Sequence, residues 1–135
     1  MKLLIALLPL ALLLPAVGAT TGTVHVTLSL TAGYHGLPSY KSCGLDVPEG
    51  ANAGDVLDAA TAAGCISGWS YDHYGTSRFV TGIDGIDAQT GTFWALYVNE
   101  ALPDGGNAGI DDTHAAEGDN VEFVYADYFT PFTLP

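Results

Sequence analysis

Side chains that could perform catalysis are few and scattered in this chain of 135 residues. None of the four histidines stands beside a serine or cysteine in the local pattern of an activated nucleophile. They are His25, His35, His73 and His114, and each falls on a different predicted element. The segment Ile66-Ser67-Gly68 lacks the strand–turn–helix context of a nucleophile elbow. We therefore expect no catalytic residues, and an extracellular hydrolase is the least supported function.

Oxygen ligands for a metal ion cluster in one predicted loop. Asp104-Gly105-Gly106-Asn107 and Asp111-Asp112 carry the carboxylate and amide oxygens that Ca²⁺ prefers. Their register does not match an EF-hand, which needs ligands at alternate positions and a distant glutamate. A solvated acidic loop is the favoured interpretation, so we expect no metal site.

The N-terminal residues 1–19 have the pattern of a signal peptide. Lys2 precedes an apolar run, Leu3 to Leu14, which ends at Pro15 and is followed by small residues. The run is too short to span a bilayer, which requires about 20 residues. We expect cleavage near residue 19 and a secreted mature protein without a membrane segment; an uncleaved N-terminal anchor is the alternative.

The only two cysteines are Cys43 and Cys65. They are too few to form a structural zinc site alone, and no histidine stands at ligand spacing beside either. Behind a signal peptide, an even pair most often forms a disulfide. A predicted strand followed by a returning helix would also bring the two residues together. We expect a Cys43–Cys65 disulfide, with two free thiols as the alternative.

The charge balance is strongly acidic. The chain has 15 Asp and Glu against 3 Lys and Arg, for a net charge of −12, and only Lys41 and Arg78 follow the signal segment. Such a surface repels nucleic acid and anionic membranes, which bind through Lys and Arg. The remaining partner classes are a small molecule or an extracellular protein, and we expect a monomer.

One helix and several strands are predicted after the signal segment. Asn52 is a suitable N-cap, Asp55 can complete a capping box, and Gly64 can end the helix, which we place at about 53–63. Strands are expected near 23–31, 45–47, 78–82, 93–98 and 121–125. Two loops are expected: an aromatic loop at 66–77, and a Gly/Asp-rich loop at 102–117 with an extended piece near Ile110. A single helix with several strands indicates a two-layer α+β domain.

Aromatic residues are the best candidates for a binding site. Trp94 and Tyr97 must face opposite sides of one strand, because their separation is odd. One side meets the helix, so the other presents rings to solvent, to a ligand, or to the predicted loop containing Trp69, Tyr71 and Tyr74. Aromatic surfaces with few charges suit a flat, largely apolar ligand.

Four motifs carry a resemblance to a known family. They are Val47-Pro48-Glu49-Gly50 followed by Val56-Leu57-Asp58-Ala59-Ala60, then Val80-Thr81-Gly82-Ile83-Asp84-Gly85-Ile86, Trp94-Ala95-Leu96-Tyr97-Val98-Asn99, and Glu117-Gly118-Asp119 before Val121. In this order they resemble the C-terminal β-domain of transcobalamin and intrinsic factor, and small secreted domains similar to it. The resemblance implies one β-grasp-like domain over 20–135, with a mixed, mostly antiparallel sheet and one covering helix.

The resemblance also implies a ligand, cobalamin or a related corrinoid, and no other cofactor. The contact candidates carried over are Trp94, Leu96, Tyr97 and the turn near Gly85, together with Tyr71 and Tyr74 from the predicted loop. The chain departs from the family at Glu100, which follows Asn99 where glycine is common and disfavours a type I′ turn. It also lacks the large helical domain of transcobalamin. The alternative function is an extracellular interaction domain that contacts a protein or polysaccharide.

Overall fold

Seven strands and one α-helix form the part of the chain that the structure, a computed structural model, describes: residues 22–33 and 36–127. The expected signal peptide, His35 and the tail after residue 127 lie outside these residues. The elements are β1 (Thr23–Gly33), β2 (Lys41–Pro48), α1 (Ala53–Ala62), β3 (Trp69–Tyr74), β4 (Ser77–Ile83), β5 (Ile86–Asp87), β6 (Thr92–Val98), a 3₁₀ helix (Pro103–Gly106) and β7 (Asn120–Asp127).

The strands form two sheets. The larger has the order β2-β1-β7-β6, in which β1 and β7 run parallel and both outer pairs are antiparallel. The smaller is antiparallel, with the order β3-β4-β5. The α+β class is therefore confirmed, since the described residues form one α-helix and a larger number of strands. The division into two sheets was not expected from the sequence.

Helix α1 begins and ends where its capping residues predict. The side chain of Asn52 accepts a hydrogen bond from the backbone N–H of Asp55, and Asp55 accepts one from that of Asn52, which completes the capping box. Ala63 is the C-cap, and Gly64 follows with a positive φ. No helix among residues 22–33 and 36–127 is long and apolar enough to cross a bilayer.

The main core lies between α1 and one face of the larger sheet. Val56, Leu57 and Ala60 of the helix are fully buried there, as predicted. They pack with apolar residues from all four strands of the larger sheet, among them Val26, Leu28, Leu30, Leu45, Val47, Val121 and Phe123. The helix is thereby fixed to the sheet by apolar burial, the dominant favourable term in folding.

Strand β7 is buried on both faces, which its alternating pattern did not predict. Val121 and Phe123 belong to the main core, but Val124 and Ala126, on the opposite face, are buried too. On that second face the hydroxyl of Thr31 donates a buried 2.7 Å hydrogen bond to Glu122. Its parallel pairing with β1 and antiparallel pairing with β6 make β7 a central strand.

The disulfide between Cys43 and Cys65 is formed, with a Cα–Cα distance of 6.4 Å. It joins β2 to the segment after α1. This agrees with the prediction that the helix returns along the preceding strand and brings Cys65 close to Cys43. Lys41 reinforces the same junction, because its Nζ donates to the carbonyl oxygen of Cys65 and to the carboxylate of Asp84. The larger sheet, the helix end and the β4–β5 turn are therefore tied together at one place.

Three local predictions were wrong. Residues 69–74 form strand β3 and not a loop, and Ile110 lies in a turn and not in an extended piece. The expectation that Glu100 disfavours a type I′ turn was also wrong. The turn after β6 has the positive φ values of this type, 50° at Asn99 and 70° at Glu100. Side-chain hydrogen bonds of Asn99 to Asp119 and to the backbone N–H of Asn120 hold this turn against β7 and offset the strain at Glu100.

Candidate ligand-binding groove

Trp94 and Tyr97 of β6 face opposite sides of the larger sheet. Trp94 and Leu96 lie on the side of the helix, whereas Tyr97 and Phe93 belong to the small cluster on the other side. Trp94 is 5 % and Tyr97 8 % exposed. The indole Nε1 of Trp94 donates to the carbonyl oxygen of Ile86. The two rings are therefore largely structural and cannot border one concave surface together.

The other expected contact residues lie elsewhere. Tyr71 and Tyr74 are exposed residues of β3, and Gly85 is in the β4–β5 turn with a φ of 80°. The ring of Tyr74 makes an edge contact with Phe79 at 5.7 Å between centroids. Of the six residues named from the sequence, the structure brings only Trp94 and Leu96 into a common groove.

That groove lies between the two sheets and has a volume of about 230 Å³. One wall is the segment 78–80 of β4, the other is 93–96 of β6, and the loop 102–110 closes one side. Phe79 and Leu102 are 40 % and 47 % exposed, so apolar surface remains open to solvent at the rim. Exposed apolar side chains gathered at a concavity are typical of a binding site.

Strand pairing explains why this groove exists. β6 is an outer strand of the larger sheet, and β5 pairs with β4 only at Gly82 and Ile83. The segment 78–80 of β4 therefore faces β6 on the side away from β3. Consecutive residues of both strands line the groove, so the edges of the two strands form its walls.

The electrostatics of the groove are simple. Its lining contains no carboxylate, and its one charged residue is Arg78. Both the backbone N–H and Nε of Arg78 donate to the carboxylate of Asp111, at 2.8 and 2.7 Å. The hydrogen bond from Arg78 lowers the pKa of Asp111 and, in return, raises that of the guanidinium. An apolar ligand would therefore leave no unpaired charge desolvated beneath it.

The lining of the groove is predominantly apolar. The lining holds no serine, cysteine, histidine or carboxylate that could act as a nucleophile or a general base. Across the described ranges, no group of three or more His, Cys, Asp and Glu residues is arranged to hold a metal ion. The oxygen-rich segment beginning at Asp104 instead overlaps the 3₁₀ helix Pro103–Gly106, two of whose residues line the groove.

Two groove residues were missed at the sequence level. The sequence pattern places Phe79 in a strand without a site role and Leu102 in a polar excursion. The only local signal for Leu102 was an apolar residue within a Gly/Asp-rich stretch. Their proximity depends on how the two sheets pack, which no local pattern encodes.

Similar folds occur in solved structures. The structure of haptocorrin in complex with Cbi matches 82 % of this chain with a TM-score of 0.66 and 17 % sequence identity. This chain spans only 26 % of the haptocorrin chain. A "putative metal binding protein" from Ruminococcus gnavus matches 77 % of this chain and 97 % of its own, with a TM-score of 0.57 and 16 % identity. At these identities, the likeness shows the fold alone.

Sequence comparison gives the family. No curated protein sequence matches the chain significantly. The profile described as "Domain of unknown function (DUF4430)" matches residues 50–127, which is more than half of the chain and extends from the start of α1 to the end of β7. The chain therefore belongs to the DUF4430 family.

Proposed function

We propose that this protein is a secreted, non-enzymatic binding module whose ligand is a corrinoid or another flat, largely apolar molecule. The observation that carries the proposal is the groove between β4 and β6. Trp94 and Leu96 contribute to its wall, and Phe79 and Leu102 leave apolar surface exposed at its rim. A ligand that covers this rim would remove apolar area from water, which is the main source of affinity in such sites.

The size of the groove bears on how a flat ligand would bind. About 230 Å³ is below the 300–1,000 Å³ that is typical of a pocket enclosing a whole drug-sized molecule. A corrinoid would therefore insert one edge and lie across Phe79 and Leu102, with its far face in water. Such partial burial predicts modest affinity, of about micromolar Kd. A second surface, on another domain or protein, would be needed for tight binding.

The fold supports the same ligand class. We interpret the larger sheet with α1 as β-grasp-like, because parallel strands β1 and β7 are central, antiparallel strands flank them, and the helix crosses one face. Haptocorrin, which contains a similar fold, was solved in complex with Cbi, a corrinoid. The signal-like N-terminus and the Cys43–Cys65 disulfide support an extracellular location.

Equilibrium dialysis of the purified chain against cobinamide and cyanocobalamin, read by corrin absorbance, tests the proposal. We expect saturable binding that weakens about fivefold in Phe79→Ala and in Leu102→Ala, because each variant removes about 1 kcal/mol of apolar contact. Tyr40→Ala is the matched control, since Tyr40 is similarly exposed but lies away from the groove. Absence of binding at 100 times the expected Kd would reject a corrinoid ligand. Binding that both groove variants leave unchanged would reject the groove.

A further inference from the structure

Strand β3 is an exposed sheet edge. It is the outer strand of the smaller sheet, and all its residues after Trp69 are exposed. Natural edge strands are usually blocked by proline, by lysine or by a covering element. β3 contains neither proline nor lysine, and Asp72 is its only acidic residue. Among residues 22–33 and 36–127 no strand other than β4 pairs with β3, so its outer edge is open to a further strand.

Three rings stand along one side of this edge; we call Trp69, Tyr71 and His73 the ring ladder. Their spacing of two residues places them on one face of β3. The centroids of Trp69 and Tyr71 are 5.1 Å apart, and those of Tyr71 and His73 are 5.4 Å apart. The ladder is therefore a continuous row of rings in which Tyr71 and His73 are exposed and Trp69 is half-buried against the main core.

The ladder already holds one cation. The guanidinium carbon of Arg78 lies 5.3 Å from the ring centroid of Trp69 and 5.2 Å from that of Tyr71. Both distances are within the range of cation–π attraction. Asp111 fixes Arg78 from one side, and Asp58 fixes Trp69 by accepting a 2.8 Å hydrogen bond from its Nε1. These contacts order the rings before any partner binds, which lowers the entropic cost of association.

Charge selects the partner for this edge. The protein carries a net charge of −12, and Lys41 and Arg78, its two basic residues after the signal segment, are engaged by Asp84 and Asp111. A second copy of the chain or an anionic polymer would be repelled, whereas a basic segment would be attracted over long range. Asp72 adds a carboxylate to β3 on the face opposite the ring ladder, and so contributes to the general attraction for a basic segment only.

We propose that β3 is a docking edge for an extended, arginine- or lysine-bearing segment of a partner protein, which adds to the smaller sheet as a further strand. Strands pair about 4.8 Å apart, so alternate side chains of the added strand lie beside the ring ladder. Basic side chains at those positions contact Tyr71 and Trp69 as Arg78 does from the other side. Backbone pairing supplies affinity, and the ladder supplies selection for cations.

A defined peptide tests this edge on the full chain. The probe is a blocked heptapeptide in which arginine alternates with threonine, and binding is measured by titration calorimetry. We expect Tyr71→Ala to weaken binding at least fivefold, Tyr71→Phe to retain it, and Tyr40→Ala to leave it unchanged. The three variants carry the same charge at neutral pH, so non-specific attraction cannot produce this pattern. Circular dichroism establishes that each variant is folded.

Two further probes separate strand addition from other contacts. A peptide of the same charge, methylated at every backbone nitrogen, should not bind, because it has no backbone N–H to donate along either edge. Equal binding by the methylated peptide, or an unaffected Tyr71→Ala, would overturn the proposal. Binding of a neutral oligosaccharide such as cellohexaose that depends on Tyr71, without binding of the peptide, would also overturn it. Leu102→Ala should leave peptide binding unchanged, so this result is independent of the corrinoid groove.

Discussion

Removing the carboxylate of Asp111 should destabilise the protein by about 2 kcal/mol. Asp111 accepts hydrogen bonds from the backbone and side chain of Arg78, and the two side chains are only 25 % and 21 % exposed. Breaking a fully buried ion pair costs about 3–5 kcal/mol, whereas an exposed pair contributes about 0–1 kcal/mol. Asp111→Ala leaves Arg78 without its main partner in a partly desolvated position, and the expected cost lies between these limits.

Urea denaturation followed by tryptophan fluorescence measures this cost as a shift of the midpoint at constant m value. Asp112→Ala is the matched control, because it removes an equal charge from the adjacent, exposed residue. The control should change the free energy of unfolding by less than about 0.5 kcal/mol. Equal effects of the two substitutions would refute the reasoning. They would show that Asp111, although paired with Arg78, contributes no more to the free energy of unfolding than an exposed carboxylate does.

The same pair predicts a pH dependence. Arg78 lowers the pKa of Asp111 in the folded state, so its contribution is fully present above the unfolded pKa, near the ordinary 3.8. It is lost as the pH falls through the lower, folded value. The difference in stability between wild type and Asp111→Ala should therefore shrink as the pH falls from 5 towards 2. Asp84, whose pKa is lowered by Lys41, should leave residual acid sensitivity in the variant.

Two further changes test the core and the turn after β6. Leu57→Ala should lower the free energy of unfolding by about 2–5 kcal/mol, because Leu57 is fully buried between α1 and the larger sheet. A melting temperature unmoved by this change would contradict the packing of the helix. Glu100→Gly should stabilise the protein by about 0.5–1 kcal/mol, because a φ of 70° is strained for glutamate and free for glycine. A loss of stability in calorimetry would show that the glutamate side chain contributes more than the strain costs.

Local signals made α1 and most strands predictable. The capping box of Asn52 and Asp55 and the glycine at 64 are short-range features that define a helix before any tertiary contact. The cysteine pair followed from the same local geometry. Strand β3 was missed because Gly68 and Gly75 flank it and its residues are nearly all exposed, so it has no apolar face. The alternation of Trp69, Tyr71 and His73 was the signal that could have identified it.

The groove could not be predicted in the same way. Leu102 and Phe79 line one groove because β5 pairs with only the end of β4 and leaves the segment 78–80 facing β6. That arrangement depends on how far each strand pairs, which is decided by tertiary packing. The alternation along β6 predicted that Trp94 and Leu96 share one face of the strand, and they do. It could not distinguish rings that support the fold from rings available to a ligand.

The parallel pairing of β1 with β7 also determines when the protein can fold. Leu28 pairs with Val121, so one edge of the first strand has no partner until nearly the whole described chain exists. Contacts of such long sequence separation slow folding, because the chain loses the entropy of a long loop before the stabilising contacts between the two strands can form. The larger sheet therefore closes only after β7 has been synthesised. Until then, the edge of β1 that includes Leu28 has no partner strand in the nascent chain.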